Sequence, residues 1–254
     1  LSSGARALDV VEFAVAELES SGLYVAGRGS APNSAGYVEL DASIMDGATR
    51  EAGAVAALRD FANPVSVARG VMERTPHVML AGSGAVAFAR DAGFEEVTDP
   101  SAYYRLPVGV TQDDITDFAH GTVGAAVLDQ SGGLAAATST GGTFGKLHGR
   151  IGDTPLIGPG TWADDSIAIS CTGIGEHIIR SGGASSIAFR YKSGIALQDA
   201  VQEMLDEVAR LGGDAGLIAV TRDGKIAMPY NSEGMKRASA SSTSELVVTT
   251  FGKD

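Results

Sequence analysis

The chain has 254 residues, 44% hydrophobic and 20% charged, the make-up of an ordinary globular protein long enough for a sizeable core. Its formal net charge of −12, with no lysine or arginine run, argues against nucleic acid and an anionic membrane surface as partners. The single Cys171 excludes an internal disulfide and points to a reducing, cytoplasmic location, and no apolar run approaches the roughly 20 residues that span a bilayer. No signal peptide is visible; the chain opens at Leu1 almost directly into a helix, so we expect a native segment ahead of it.

In chain order, residues 5–18 place Leu8, Val11, Val15 and Leu18 at helical spacing, and Ser20-Ser21-Gly22 ends that helix. Residues 24–34 read as a Gly/Ser/Asn-rich loop. Tyr37–Asp41 alternates like a half-buried strand, which 42–46 continues or returns from. The stretch 52–61 is predicted helical and stops at Asn63-Pro64, with a second helix beginning at Pro64, where proline suits the first turn. His77–Ala81 is a predicted strand and 84–92 a short helix. Residues 95–121 are acidic, broken by prolines and aperiodic, which predicts an exposed linker of the kind that tolerates proteolysis. Beyond it, Val123–Asp129 and Leu134–Thr140 form a predicted hairpin around Gln130-Ser131-Gly132-Gly133. A strand follows at 167–171, then helices at 175–180 and 197–211, a hairpin from 217–221 to 225–228, and a last strand at 246–251. Helices dominating the first half and hairpins the second argue for an α+β fold, with helices layered on largely antiparallel sheets.

The stretch His120-Gly121-Thr122-Val123 sets a Gly-Thr pair directly before a predicted strand. A threonine hydroxyl inside a chain needs a separate base. If the Gly121–Thr122 bond is cut, the freed α-amino group, with an ordinary pKa of roughly 7.7–8, supplies that base from the same residue. Arg150 and Asp153, three residues apart among glycines, suit a zwitterionic amino acid: a guanidinium fork grips a carboxylate and a carboxylate accepts an ammonium. The turn Cys171-Thr172-Gly173-Ile174-Gly175-Glu176 offers backbone amides to an anion or oxyanion. Each signal also has an ordinary reading. A Gly-Thr before a strand is usually only a turn, an arginine near an aspartate is more often a surface ion pair, and such glycines commonly serve tight turns. Cys171 reads as a small buried strand residue. His77, His120, His148 and His177 share no metal-ligand spacing, and no Gly-x-Ser-x-Gly elbow supports a serine triad.

The joint order of the segments says more. HGTVGAAVLD, GGLAAATSTGG, GRIGDTPLIGPG, SCTGIGE and MPYNSEGM, with ELDASIMDG, AGAVAALRDFANPVSVARGVME and HVMLAGSGAVAFA upstream, closely resemble the plant-type L-asparaginase/isoaspartyl peptidase family of N-terminal nucleophile hydrolases. The likeness covers nearly the whole chain outside 95–118. It implies that Thr122 is a nucleophile released when the precursor cuts itself after Gly121, and that Thr140 is the second threonine bonding it. It implies Arg150 as the clamp on the substrate α-carboxylate, Asp153 as partner of the α-ammonium, Thr172 and Gly173 as the oxyanion hole, and Gly175 as a shaper of the pocket. It also implies a structural sodium loop formed mainly by backbone carbonyls of Leu18, Glu19, Ser21, Tyr24, Ala26 and Arg28, with no other cofactor required. The departures are Val25 where the family carries asparagine, Gly145 where asparagine often precedes Lys146, and Trp162 where tyrosine is common, the last expected to reshape the pocket mouth. The family's N-terminal strand and His-Gly-Gly-Ala-Gly loop are absent, which again suggests a missing head.

The fold expected from this resemblance is a four-layer αββα sandwich, one globular domain matured into an α part (1–121) and a β part (122–254). The expected reaction is hydrolysis of a β-aspartyl peptide or of the asparagine side-chain amide through an acyl-enzyme, by a homodimer of αβ units. Two alternatives stay open: a glycosylasparaginase-like amidohydrolase, which Gly121 disfavours, and a catalytically weakened ligand-binding relative, which Val25 keeps open.

Overall fold

The structure, a computed structural model, describes residues 4–107 and 121–252. Strand β1 (Leu40–Asp46) explains the layering, because all seven of its residues are buried. Both its faces are covered, so its alternation is one of chemistry. Leu40, Ala42 and Ile44 join the apolar cluster under the N-terminal helices. Ser43 points the other way, where its Oγ meets Thr154 O at 2.6 Å and Thr161 Oγ1 at 2.7 Å.

β1 is central in a five-stranded sheet ordered β3-β2-β1-β5-β4, with β2 (Ala52–Leu58), β3 (Met79–Ala81), β4 (Thr122–Leu128) and β5 (Leu134–Thr140). Only the β2–β3 pair is parallel. Helix α1 (Ala7–Ser21) lies over β4 and β5, α2 (Pro64–Arg74) over β2 and β1, and α3 (Gly82–Asp91) over β2. The second sheet is antiparallel throughout, ordered β6 (Thr161–Ala163), β7 (Ile167–Gly173), β8 (Ala215–Thr221), β9 (Ile226–Ala227). Helices α5 (Gly175–Ser181), α6 (Gly183–Lys192) and α7 (Leu197–Arg210) pack with it, and β4 and β5 face β7 across the interlayer. This is the αββα sandwich expected, with a separate β10–β11 ribbon (Arg237–Ser239, Val247–Thr249).

The helices are fixed by identifiable contacts. α1 buries Leu8, Val11 and Val15 and ends at Gly22, which takes the left-handed conformation that glycine adopts without steric cost. Its Glu19 is fully buried and accepts from Val65 N (3.0 Å) and Asn63 Nδ2 (3.1 Å), satisfying an otherwise orphaned amide at the start of α2. Burial pushes that carboxyl up to about 8.

Several expectations are corrected. Residues 52–61 are a strand, β2, followed by a turn. The run is apolar on both faces because both are buried, so its periodicity could not separate strand from helix. The first half therefore carries three strands beside its helices. Tyr37–Asp41 is a strand only from Leu40 and is buried on both faces, and 42–46 continues it. The first part of the expected linker is largely exposed, and it also carries structure. Glu96 bridges Phe61, Pro100–Tyr103 form a short helix α4, and buried Tyr104 donates its hydroxyl to Phe61 O at 3.0 Å. The rest of the linker, 108–120 with His120, lies outside the described residues. Strands β6 and β10 and helix α6 were not anticipated. Among the described residues no helix is long and apolar enough to cross a membrane.

Candidate active site

Thr122 opens β4, and the register sets it opposite Thr140 of β5, which stands opposite Asp41 of β1. With strands about 4.8 Å apart, the row Thr122–Thr140–Asp41 spans about 10 Å of backbone. The next row on the same face is Gly124–Thr138–Ser43. There Thr138 Oγ1 meets Ser170 Oγ of β7 at 2.7 Å and also bonds Thr161 Oγ1 of β6. A column of buried hydroxyls thus joins the sheets beneath the threonine row.

The loop after β5 is tied to residue 25. Gly141 N donates to Val25 O at 2.8 Å, and Thr140 Oγ1 lies 3.4 Å from the same carbonyl while accepting from Gly142 N at 3.0 Å. The Val25 side chain lies against Gly121, where a β-carbon would sit 2.8 Å from Val25 Cγ2. The departure at position 25 therefore borders the Gly121–Thr122 bond itself.

Arg150 and Asp153 come together with the start of α5. The Arg150 guanidinium donates to both oxygens of Glu176, at 2.8 and 2.7 Å, so its fork is engaged by a carboxylate of this chain. Asp153 is 4% exposed and its Oδ2 has no hydrogen-bond partner among the described residues. Loss of hydration pushes its carboxyl up to about 7, outweighing the pull of Arg150's charge in the other direction. Gly175 makes this approach feasible, since a β-carbon there would lie 2.9 Å from both Asp153 N and Oδ1. Thr172 and Gly173 end β7, and Gly173 has φ +136°, a conformation that favours glycine. The chain then turns at once into α5, with Ile174 N bonded to Asp214 O at 3.0 Å.

The six residues of the expected sodium loop lie in the last turns of α1 and the turn after it. The carbonyls of Leu18, Tyr24, Ala26 and Arg28 each accept one bond, from Ser21 Oγ, Ala26 N, Gly29 N and Arg105 N respectively. Each keeps a second lone pair. Glu19 turns its carboxylate to the start of α2. Trp162 packs edge-on against Phe189 of α6 and under the Arg50 guanidinium. Reading the sequence assigned no role to the buried charges at and beside the threonine row, Glu39, Asp41 and Lys146. The polar positions alternating through ELDAS were the available signal.

The model of the family described as asparaginase matches residues 1–105 and 103–249. The isoaspartyl peptidase of Salmonella typhimurium is 44% identical over 258 residues, covering 94% of this chain and 82% of that protein. The isoaspartyl peptidase of Escherichia coli is 44% identical, covering 94% and 80%. A probable isoaspartyl peptidase/L-asparaginase of Arabidopsis thaliana is 42% identical, covering 94% and 84%.

Proposed function

We propose a function on one premise: this chain belongs to the asparaginase family, whose model and relatives match it almost end to end. It is a threonine hydrolase that cuts itself between Gly121 and Thr122 and then hydrolyses the side-chain amide of a β-aspartyl peptide or of L-asparagine. The observation carrying this reading is Asp153, buried beside Arg150 with one oxygen unpartnered among the described residues. An ammonium on the substrate satisfies that oxygen and, by placing a positive charge there, returns the carboxyl to its ionised form. Arg150 faces the α-carboxylate, sharing its guanidinium with Glu176 or exchanging one carboxylate for the other.

Thr122 Oγ then attacks the side-chain carbonyl while the freed α-amino group takes its proton. Thr172 and Gly173 stabilise the oxyanion. Collapse expels the amine or ammonia, which receives the proton from the α-ammonium. Water cleaves the aspartyl ester with the same amine as base, releasing aspartate and restoring the hydroxyl. Val25 offers no polar group beside the cut, so the scissile bond is aligned there by packing and by the backbone of residues 25 and 140–142. The same reading includes a carbonyl-held sodium ion at 18–28 and a homodimer of αβ units. Melting in sodium against choline chloride checks the first and light scattering the second.

The experiment is direct. Purified protein should run as two bands on a denaturing gel, one of them reading Thr-Val-Gly at its N-terminus, and should release aspartate from β-aspartyl dipeptides or L-asparagine. Fully cleaved protein that converts neither would overturn the reading.

A further inference from the structure

Arg150 and Asp153 sit on a loop of twenty residues, Gly141–Gly160, that contains no helix or strand. A clamp for two charged groups needs its members held to within a fraction of an ångström, and such a loop does not supply that by itself. Three buried charged side chains meet where it leaves β5. Lys146 Nζ lies 3.7 Å from Asp41 Oδ2 and 3.4 Å from Glu39 O, with its side chain 2% exposed and that of Asp41 0%. The Glu39 carboxylate accepts from Gly149 N with both oxygens, at 3.1 and 3.0 Å, and from Asn33 Nδ2 at 3.0 Å. Gly149 immediately precedes Arg150.

The other end of the cluster is anchored as firmly. Asp41 Oδ1 accepts from Ala57 N at 2.8 Å, where β2 bulges and Ala57 adopts φ +49°, costly for a residue with a β-carbon. Ser34 N donates to Lys146 O at 2.8 Å, so backbone and side chain of Lys146 are both committed. Burial pushes the Asp41 carboxyl up and the Lys146 charge draws it back down. A lone buried carboxylate would be expensive, so removing the cation disturbs Asp41 as well as the loop.

We propose that Lys146, seated between Glu39 and Asp41, is a positioning residue that locks the Gly141–Gly160 loop to β1 and so sets the placement of the Arg150–Asp153 clamp. It touches no reacting atom and acts through the loop. This deepens the reading above and rests on it, since the ligand is taken to be an aspartyl group.

The test reads ligand binding apart from turnover. Calorimetric titration of L-aspartate, which carries both charges the clamp faces, compares cleaved wild type with Lys146→Met and with Glu39→Gln, the second guarding against a misfolded first variant. The expected result is binding about tenfold weaker in each folded variant, with KM for a β-aspartyl dipeptide rising in step and kcat within about threefold of wild type. In an Asp153→Asn background, where the clamp is already broken, adding Lys146→Met should change binding by less than about threefold, since residues acting as a unit are not additive. Unchanged aspartate binding in both folded variants, or full multiplicative effects in the Asp153→Asn background, would overturn the proposal. Wild type that binds aspartate without hydrolysing any β-aspartyl amide would sink the functional reading and leave this one standing on the binding data.

Discussion

The two faces of β1 and β5 are both buried, yet they are built from different chemistry. Outward, toward the helices, stand Leu40, Ala42, Ile44, Ala135 and Ala137, within one apolar cluster, with buried Ser139 a polar exception beside Glu19. Inward, toward the second sheet, stand Asp41, Ser43, Thr138 and Thr140, joined by hydrogen bonds or facing a buried cation, while Met45, Leu134 and Ala136 carry the same face on into the interlayer apolar core. The outward face gains its stability from area removed from water, which is roughly proportional and non-directional. The inward face gains little net stability from its hydrogen bonds, because each replaces one to water. What it supplies is placement. Alternation along a strand, usually a division between core and solvent, is here a division between scaffold and site.

The largest effect that sharpens this division comes from the inward row. Thr122→Ala removes the proposed nucleophile and its cleavage together. One uncut band and a turnover loss of about 10⁴-fold or more are expected, with the melting temperature little changed. Next comes the outward face. Ile44→Ala empties a fully buried site and should cost about 2–5 kcal/mol of stability in denaturant titration. Ser43→Ala, one residue along and inward, should cost only about 1 kcal/mol. Equal losses from the two would break the comparison. Gly124→Ala tests the interlayer spacing, because a β-carbon there would lie 2.0 Å from Ser170 Oγ and 3.2 Å from Ala137 O. The layers must shift, at a cost of about 1–3 kcal/mol, and turnover should fall further than stability, since Gly124 is two residues from Thr122.

How much of this was legible in the sequence follows the same division. Segments with a solvent face or a clear turn signal were readable: the stripe Leu8, Val11, Val15 located α1, and the Gly132-Gly133 turn located the β4–β5 hairpin. Ala52–Leu58 was not, because alanines buried on two faces carry no period, and alanine's helix preference is overridden by pairing with β1 and β3. The family resemblance brought out Thr122, Thr140, Arg150, Asp153, Thr172 and Gly173, and the fold sets Gly175 against Asp153, three residues from Arg150. Their supports were not readable. Glu39 and Lys146 are 107 residues apart in sequence, and only sheet register brings them together. Glu176 stood in a motif of interest, but its bidentate hold on Arg150 is a product of the turn into α5.

The smallest effect is a pH dependence, and it separates the clamp from the nucleophile. Asp153 is raised from 3.8 to about 7 in the folded protein. A carboxyl with a raised folded pKa favours the protonated form there, so its contribution to stability is complete below about pH 4 and is lost as pH climbs to about 7. A substrate ammonium needs the opposite, ionised form. KM for a β-aspartyl dipeptide should therefore rise as pH falls below about 7, approaching tenfold per unit, while kcat follows the amine of Thr122 instead. Glu19, raised to about 8, titrates nearby but belongs to the α1–α2 contact, so it moves stability in this range and leaves KM alone. Asp153→Asn removes one titration and keeps the other: its KM should be high and flat from pH 5 to 8, and its stability should decline less over pH 4 to 7 than wild type. A wild-type KM that is itself flat over that range would mean that Asp153 meets no ammonium, and the polar inward face would lose its strongest claim to be the site.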